Sequence, residues 1–166
     1  MIRAARRDDV AALASLVREL ADYERAAGNV ALADGDLDAA LFGESPKVFA
    51  HVAEHEGEVA GMAIWFVTFS TWTGRHGIYV EDLIVRRHLR GLGIGRALMS
   101  EIARTAVEAG YARLEWAVLD WNEPAIGFYH HLGSEAMEEW TTHRLSGAAL
   151  RRLAEMAAWP IRGSAE

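Results

Sequence analysis

The run Arg90-Gly91-Leu92-Gly93-Ile94-Gly95-Arg96 lies between an apolar segment, Gly77 to Val85, that reads as a strand and a helical pattern from about Gly93 to Ala109. Three glycines at a strand-to-helix junction let the backbone turn sharply, and they bring unencumbered N–H groups and the positive end of a helix to one point. Such a point binds an anion. A nucleotide P-loop would need Lys-Ser/Thr after its last glycine, whereas the chain has a single lysine, Lys47, in another element. A dinucleotide fingerprint would need glycine three residues after Gly93, where Arg96 stands.

The remaining pattern surrounds this unit with a mixed sheet. Ile2 to Ala4 reads as a short strand, and Asp8 caps a helix carrying Val10, Leu13, Leu16, Val17 and Leu20 inward and ending near Ala27-Gly28. A shorter helix after Ala33-Asp34 buries Leu37, Ala40 and Leu41 and closes at Gly43 and Pro46. Alternation at Val48, Ala50 and Val52, a turn at Glu56-Gly57 and the apolar run Val59 to Phe69 make a hairpin. Beyond the glycine turn, Gly110 stops the helix, Arg113 to Leu119 is a strand, and Asn122 caps a helix reaching Leu132. A last strand is expected from Gly133 to Leu145 and a terminal helix from Gly147 to Ala158. Antiparallel strands first and a βαβ-like unit second define an α/β (α+β) domain, expected to span residues 1–159 with a tail at 160–166 lacking order.

Composition narrows the function. At 166 residues the chain can bury a core of its own, and the absence of cysteine removes disulfides, thiolate nucleophiles and Cys-based zinc sites. No apolar run is long enough for a membrane span, and Met1 to Val10 is charged where a signal peptide would be apolar, so the expected compartment is the cytoplasm with no membrane partner. A net charge of -7 argues against a nucleic-acid partner, which needs clustered cations. Against that acidic background Arg86, Arg87, His88, Arg90 and Arg96 form a basic island, which reads either as a holder of an anionic cofactor or as a solvated charged face.

The form Arg-x-x-Gly-x-Gly, with Arg90, Gly93 and Gly95 in its fixed positions, resembles the acetyl-CoA pyrophosphate loop of the GNAT superfamily. Tyr79 to Val85 before the loop, Ala117 to Tyr129 after it, and Arg18 to Glu24 in the first helix are similar to the diamine (spermidine/spermine) and thialysine N-acetyltransferases. The likeness runs from about Ile2 to Ala157. It implies the GNAT fold: a mixed, mostly antiparallel central sheet flanked by helices, with a splayed pair of parallel strands forming the acetyl-CoA cleft. It also implies an enzyme that acetylates a small aliphatic amine by direct attack in a ternary complex, with acetyl-CoA as cosubstrate, no metal, and a homodimeric assembly to which the segment from Trp140 onward contributes.

Acetyl transfer to an amine needs a base for the ammonium proton, donors for the developing oxyanion, and an acid for the departing thiolate. The resemblance puts Glu81 in the first role and Tyr129 in the last. Tyr129 lies two helical turns beyond Asn122, and its phenol is a weak enough acid to give its proton to a thiolate. Strand alternation alone sends Asp82 to the face opposite Glu81 unless a bulge intervenes, and the resemblance implies one, freeing backbone N–H groups near Leu83 and Ile84. The implied cofactor contacts are Leu83, Ile84, Val85, Arg90, Gly91, Leu92, Gly93, Ile94, Gly95, Arg96, Asn122 and Pro124, and the implied substrate contacts are Tyr23, Glu24, Glu81 and Asp82.

The family's acidic pair beyond the first helix is replaced here by Ala27-Gly28, the acid before Trp72 by Thr71 or Ser70, and a late acid by Thr141, so a shorter diamine or an aminoalkyl amino acid competes with a polyamine as acceptor. A protein N-terminal or lysine acetyltransferase shares the same fold and cofactor. A non-catalytic acyl-CoA-binding sensor would keep the glycine loop without needing both Glu81 and Tyr129. His51-Val52-Ala53-Glu54-His55 formally matches a zinc signature, but the segment alternates as a strand, separating the histidines by roughly 13 Å, too far for one zinc. Trp72, Trp116 and Trp121 are candidates for cation–π contact with an amine, while most tryptophans are expected in the core or at an interface.

Overall fold

The structure is a computed structural model and describes residues 1–33 and 35–156. Contacts divide the chain into two units, Met1–Gly127 and the part from Phe128 on.

In the first unit, the described residues form a five-stranded sheet in the order β1-β2-β3-β4-β5. The strands are β1 (Ile2–Ala4), β2 (Phe49–His55), β3 (Glu58–Ser70), β4 (Arg75–Val85) and β5 (Leu114–Trp116). The first four pair antiparallel, and β4 pairs parallel with β5, so the sheet is mixed as expected. Helices α1 (Val10–Tyr23), α2 (Asp36–Phe42) and α3 (Ile94–Glu108) flank it. The β2–β3 turn forms at the expected Glu56-Gly57, where φ is 50° and 84°, the paired left-handed conformation that suits a two-residue hairpin.

Alternation along the strands builds two cores. Ala50, Val52, Met62, Ile64 and Ile84 pack with Leu13 and Leu16 of α1 and Leu37 and Leu41 of α2. The opposite face carries His51, Ala63, Trp65, Ile78 and Val80, and α3 covers it with Leu98, Met99, Ile102 and Ala106, all buried. Buried in that second layer, His51 accepts a hydrogen bond at Nδ1 from the Trp65 indole (3.1 Å).

Helix ends differ from the sequence reading. A 3-10 turn at Arg7–Asp9 precedes α1, and Asp9, not Asp8, organises it by accepting from the Arg6 amide (2.6 Å) and from the Arg3 guanidinium (2.6 and 2.8 Å). Helix α1 stops at Tyr23, short of Ala27-Gly28, because the chain turns left-handed at Arg25 (φ 58°). The Ala26 amide then reaches back to the Ala21 carbonyl and the Arg25 amide to the Asp22 carbonyl, a Schellman ending with arginine in the place glycine usually takes.

Helix α4 (Glu123–His131) begins at the expected cap, where Asn122 Oδ1 accepts from the Ala125 amide (3.3 Å). In the second unit, the strand expected from Gly133 to Leu145 is not found: residues 132–146 are turns and irregular chain. The segment holds Gly133 in a left-handed turn (φ 87°) and the polar stretch Glu138-Glu139, and it lacks the period-2 apolar pattern that would commit it to a sheet. Helix α5 (Gly147–Glu155) forms as expected, while residues 157–158 of that expected helix and the tail at 160–166 lie outside the described residues.

Candidate functional site

The register of β3 against β4 runs Met62↔Ile84, Ile64↔Asp82, then Trp65↔Val80, which leaves Glu81 as an extra residue with none opposite. This is the bulge implied by the resemblance, and its effect on backbone direction can be traced from two hydrogen bonds. The Ile78 amide donates to the Arg113 carbonyl before β5 (3.0 Å), and the Arg86 amide donates to the Ala60 carbonyl at the start of β3 (2.8 Å). Backbone groups of successive residues point to alternate neighbours, so Ile78 and Val80 turn toward β5 while Asp82, Ile84 and Arg86 turn toward β3. Glu81 makes the phase switch.

Two consequences follow for the site. Pairing of β4 with β5 ends at Val80↔Trp116, so the N–H and C=O groups of Leu83 and Val85 face an edge that no strand of this pair covers. Ile84, expected beside them, sends its side chain into the core (3% exposed) and its backbone toward β3. The switch also puts Asp82 on the α1 face of the sheet beside Ile84, rather than on the face that strict alternation would assign.

That face gathers carboxylates. Burial pushes the Asp82 carboxyl up to about 6, and the nearby charges of Glu81 and then Glu24 push the same way. Glu24, the residue that ends α1, is itself raised by burial. Glu81 stays exposed at the bulge. Carboxylates gathered on one face in this way attract a cationic group.

The glycine turn has the geometry expected of an anion cradle. Gly91 (φ 84°) and Gly93 (φ 79°) are left-handed, a conformation that L side chains rarely adopt. Gly93 is the N-cap of α3 and no side chain caps the helix, so the first-turn amides of Ile94, Gly95 and Arg96 are directed outward without an intrahelical acceptor. An anionic diphosphate fits this arrangement. Of the basic island, Arg86 is engaged elsewhere, donating to the Val59 carbonyl (2.9 Å) and to Glu19 (3.5 Å), and His88 stands 3.5 Å from Glu58.

Arg90 folds back along the end of β4. Its Nε donates to the Val85 carbonyl (3.0 Å), and its guanidinium lies over the Tyr23 ring, 4.8 Å from the centroid. The Tyr23 hydroxyl donates to Asn122 Oδ1 (2.9 Å), and Asn122 is buried. Tyr23 also meets the Trp121 ring at 6.1 Å, and the Arg25 guanidinium covers Trp121 at 5.1 Å. Arg25 went unnoticed in the sequence, and its signal was the early end of α1. The Trp121 ring, a candidate for cation–π contact with an amine, carries the Arg25 guanidinium. Among the described tryptophans Trp65 is buried, whereas Trp72 and Trp140 are 86% and 66% exposed.

Pro124 follows Glu123 in the first turn of α4, where its missing N–H costs nothing. In the second unit Tyr129 sits on α4, its ring 5.1 Å from that of Phe128. Among the described residues no group of three or more His, Cys, Asp or Glu side chains could hold a metal ion, and no helix is long and apolar enough to cross a membrane.

Comparison with known proteins agrees with this geometry. Residues 13–133 match the acetyltransferase (GNAT) family model. The thialysine N-epsilon-acetyltransferase of Bos taurus is 38% identical over 165 residues, covering 93% of this chain and 96% of the relative. The thialysine N-epsilon-acetyltransferase of Mus musculus is 37% identical over 164 residues, covering 92% and 96%. Among solved structures, an integron cassette protein from the mobile metagenome of V. cholerae superposes with a TM-score of 0.78 at 28% identity, covering 93% of this chain and 97% of that one.

Proposed function

The chain belongs to the acetyltransferase (GNAT) family, and from that premise we propose that it moves the acetyl group of acetyl-CoA to the primary amine of a small aliphatic acceptor that carries further positive charge, a diamine or polyamine or a thialysine-like amino acid. The observation that carries the reading is the pairing of an uncapped helix start behind two left-handed glycines with an open strand edge just beyond the Glu81 bulge. The names of the full-length relatives support the acceptor class, as do the three carboxylates Glu24, Glu81 and Asp82.

In this reading the amides of Gly91 to Arg96 hold the diphosphate of coenzyme A, and the Leu83 carbonyl and Val85 amide receive the amide groups of its arm as a strand would, the Val85 carbonyl being held by Arg90. When bound, the thioester supplies an activated acyl carbon. Glu81 takes the proton of the acceptor ammonium, directly or through a water molecule, and the freed nitrogen forms the new C–N bond. The Leu83 amide donates to the oxyanion. As the C–S bond breaks, Tyr129 gives its proton to the thiolate, and the second proton shed by the acylated nitrogen restores the phenol. Asp82 and Glu24 hold the acceptor's second cation and so orient the reacting amine.

The test is incubation of the purified protein with acetyl-CoA and a mixture of free amines and peptides, read by thiol release and mass spectrometry. Acetylated diamines or aminoalkyl amino acids are expected. Acetylated peptides alone would replace this reading with a protein acetyltransferase, and acyl-CoA binding without turnover would make the chain a sensor. We propose further that the enzyme is a cytoplasmic homodimer. Exposed Leu145, Leu150, Leu153 and Met156 in the second unit support an interface there, and the cysteine-free sequence suits a reducing compartment. Light scattering should give twice the 18.3 kDa of the chain.

A further inference from the structure

We infer that Tyr23 is a positioning residue for coenzyme A: a strut at the end of α1 that holds the glycine turn through Arg90 and the start of α4 through Asn122. The inference rests on the acetyl-CoA reading above and gives Tyr23 work on the cofactor side in addition to the acceptor contact implied by the resemblance.

The geometry is specific to this side chain. Its ring carries the Arg90 guanidinium at 4.8 Å, and its hydroxyl reaches Asn122 Oδ1 at 2.9 Å. The same oxygen accepts from the Ala125 amide, so Tyr23 and the helix backbone together fix which way the Asn122 amide faces. Phenylalanine could do the first task and not the second. An aliphatic residue could do neither. The strut also meets Trp121, and Trp121 meets Arg25, which occupies a left-handed position at φ 58°. A non-glycine residue held there costs on the order of 1 kcal/mol, and the stacked guanidinium offsets part of that cost.

The physical reason for a strut lies in the turn. Gly91 and Gly93 give the left-handed geometry that exposes the amides, but glycine also loses more conformational entropy on ordering than any other residue. A loose turn would lose that entropy when a diphosphate binds, weakening affinity. Arg90 stands directly before Gly91 and is tied at two points, to the Val85 carbonyl and to the Tyr23 ring. Its anchoring orders the turn before any ligand arrives.

Calorimetry with coenzyme A tests this on the full chain, comparing wild type, Tyr23→Phe, Tyr23→Leu, Arg90→Gln and the double variant Tyr23→Leu/Arg90→Gln, with steady-state kinetics in parallel. Losing the hydroxyl should raise Kd roughly 2- to 10-fold, as one net hydrogen bond implies. Losing hydroxyl and ring should raise it roughly 10- to 50-fold, with KM for acetyl-CoA rising alongside. In the Arg90→Gln background the effect of Tyr23→Leu should shrink, because the two side chains act as one unit. A purely structural role would lower kcat with the folded fraction and leave Kd alone. Unchanged Kd in both Tyr23 variants, or effects of Tyr23 and Arg90 that simply multiply, overturns the strut while the acetyl-CoA reading stands. No affinity of folded wild type for coenzyme A overturns that reading and the strut with it.

Discussion

Replacing Asp82 by asparagine should stabilise the protein at alkaline pH and leave its stability unchanged in acid. Burial and the charges of Glu81 and Glu24 raise the Asp82 carboxyl from 3.8 to about 6. A raised pKa means that folding disfavours the ionised form. The contribution of this group is therefore fully present below its unfolded pKa near 3.8 and is lost as pH rises through about 6. A shift of roughly 2 units corresponds to about 3 kcal/mol, an upper figure because the side chain is only half-buried and solvent screens part of the repulsion. For a chain of this size each kcal/mol moves Tm by about 2–4 °C. Thermal and urea unfolding of wild type and Asp82→Asn should accordingly coincide at pH 4 and diverge to roughly 4–10 °C by pH 8, with the variant more stable. Other titrating groups affect both proteins alike and drop out of the difference. Glu24→Gln should move the inflection of that difference to lower pH by removing one of the repelling charges. A difference that stays flat from pH 4 to 8, or a variant less stable than wild type at pH 8, would refute the crowding of charge on which the proposed acceptor site rests.

Gly93→Ala meets no atom within 4 Å of the added methyl, so its cost is conformational, about 1 kcal/mol from the left-handed φ, and calorimetry should show weakened coenzyme A binding beside that small loss in the urea midpoint. Tyr129→Phe should lower kcat about 100-fold or more at unchanged KM, with the alkaline limb of the pH profile moved, as measured by thiol release. Arg25→Gly relieves the strain at φ 58° and removes the stack on Trp121, two effects of about 1 kcal/mol that oppose each other, so Tm should move by no more than about 2–4 °C while Arg25→Ala, with the strain kept and the stack lost, melts lower. Burial pushes His51 below its ordinary 6.5, so its contribution to stability is complete above that value and is lost as pH falls below it, and His51→Leu should flatten the acid side of a Tm-against-pH curve.

Local chemistry made much of the site legible in the sequence. Glycines in the turn before α3 state their own backbone conformation, because few other residues tolerate φ near 80°. The cap at Asn122 and the Glu56-Gly57 hairpin are likewise settled by the residues that form them. Where the reading was short, the deciding partner was far away along the chain. The stretch from Gly133 to Leu145, expected as a last strand, has no apolar alternation to support one, and no strand is there. The end of α1 was placed at the visible glycine, yet arginine takes the left-handed position at Arg25, beneath a tryptophan nearly a hundred residues on.

The bulge at Glu81 shows the division most clearly. From residues alone, Glu81 and Asp82 alternate to opposite faces, and only likeness to other proteins suggested otherwise. In the folded sheet, Trp65 and Val80 belong to the core under α3, whereas Ile64 and Ile84 belong to the core under α1. Both pairs can be satisfied only if β4 carries one residue more than β3 between them. Strand periodicity is a property of a segment, but the phase of that periodicity is set by what the neighbouring strand and the two helix layers require. Tertiary packing thus chose which carboxylate faces α1 and which amides of β4 are left open, while the sequence by itself had already determined the left-handed glycine turn that opens α3.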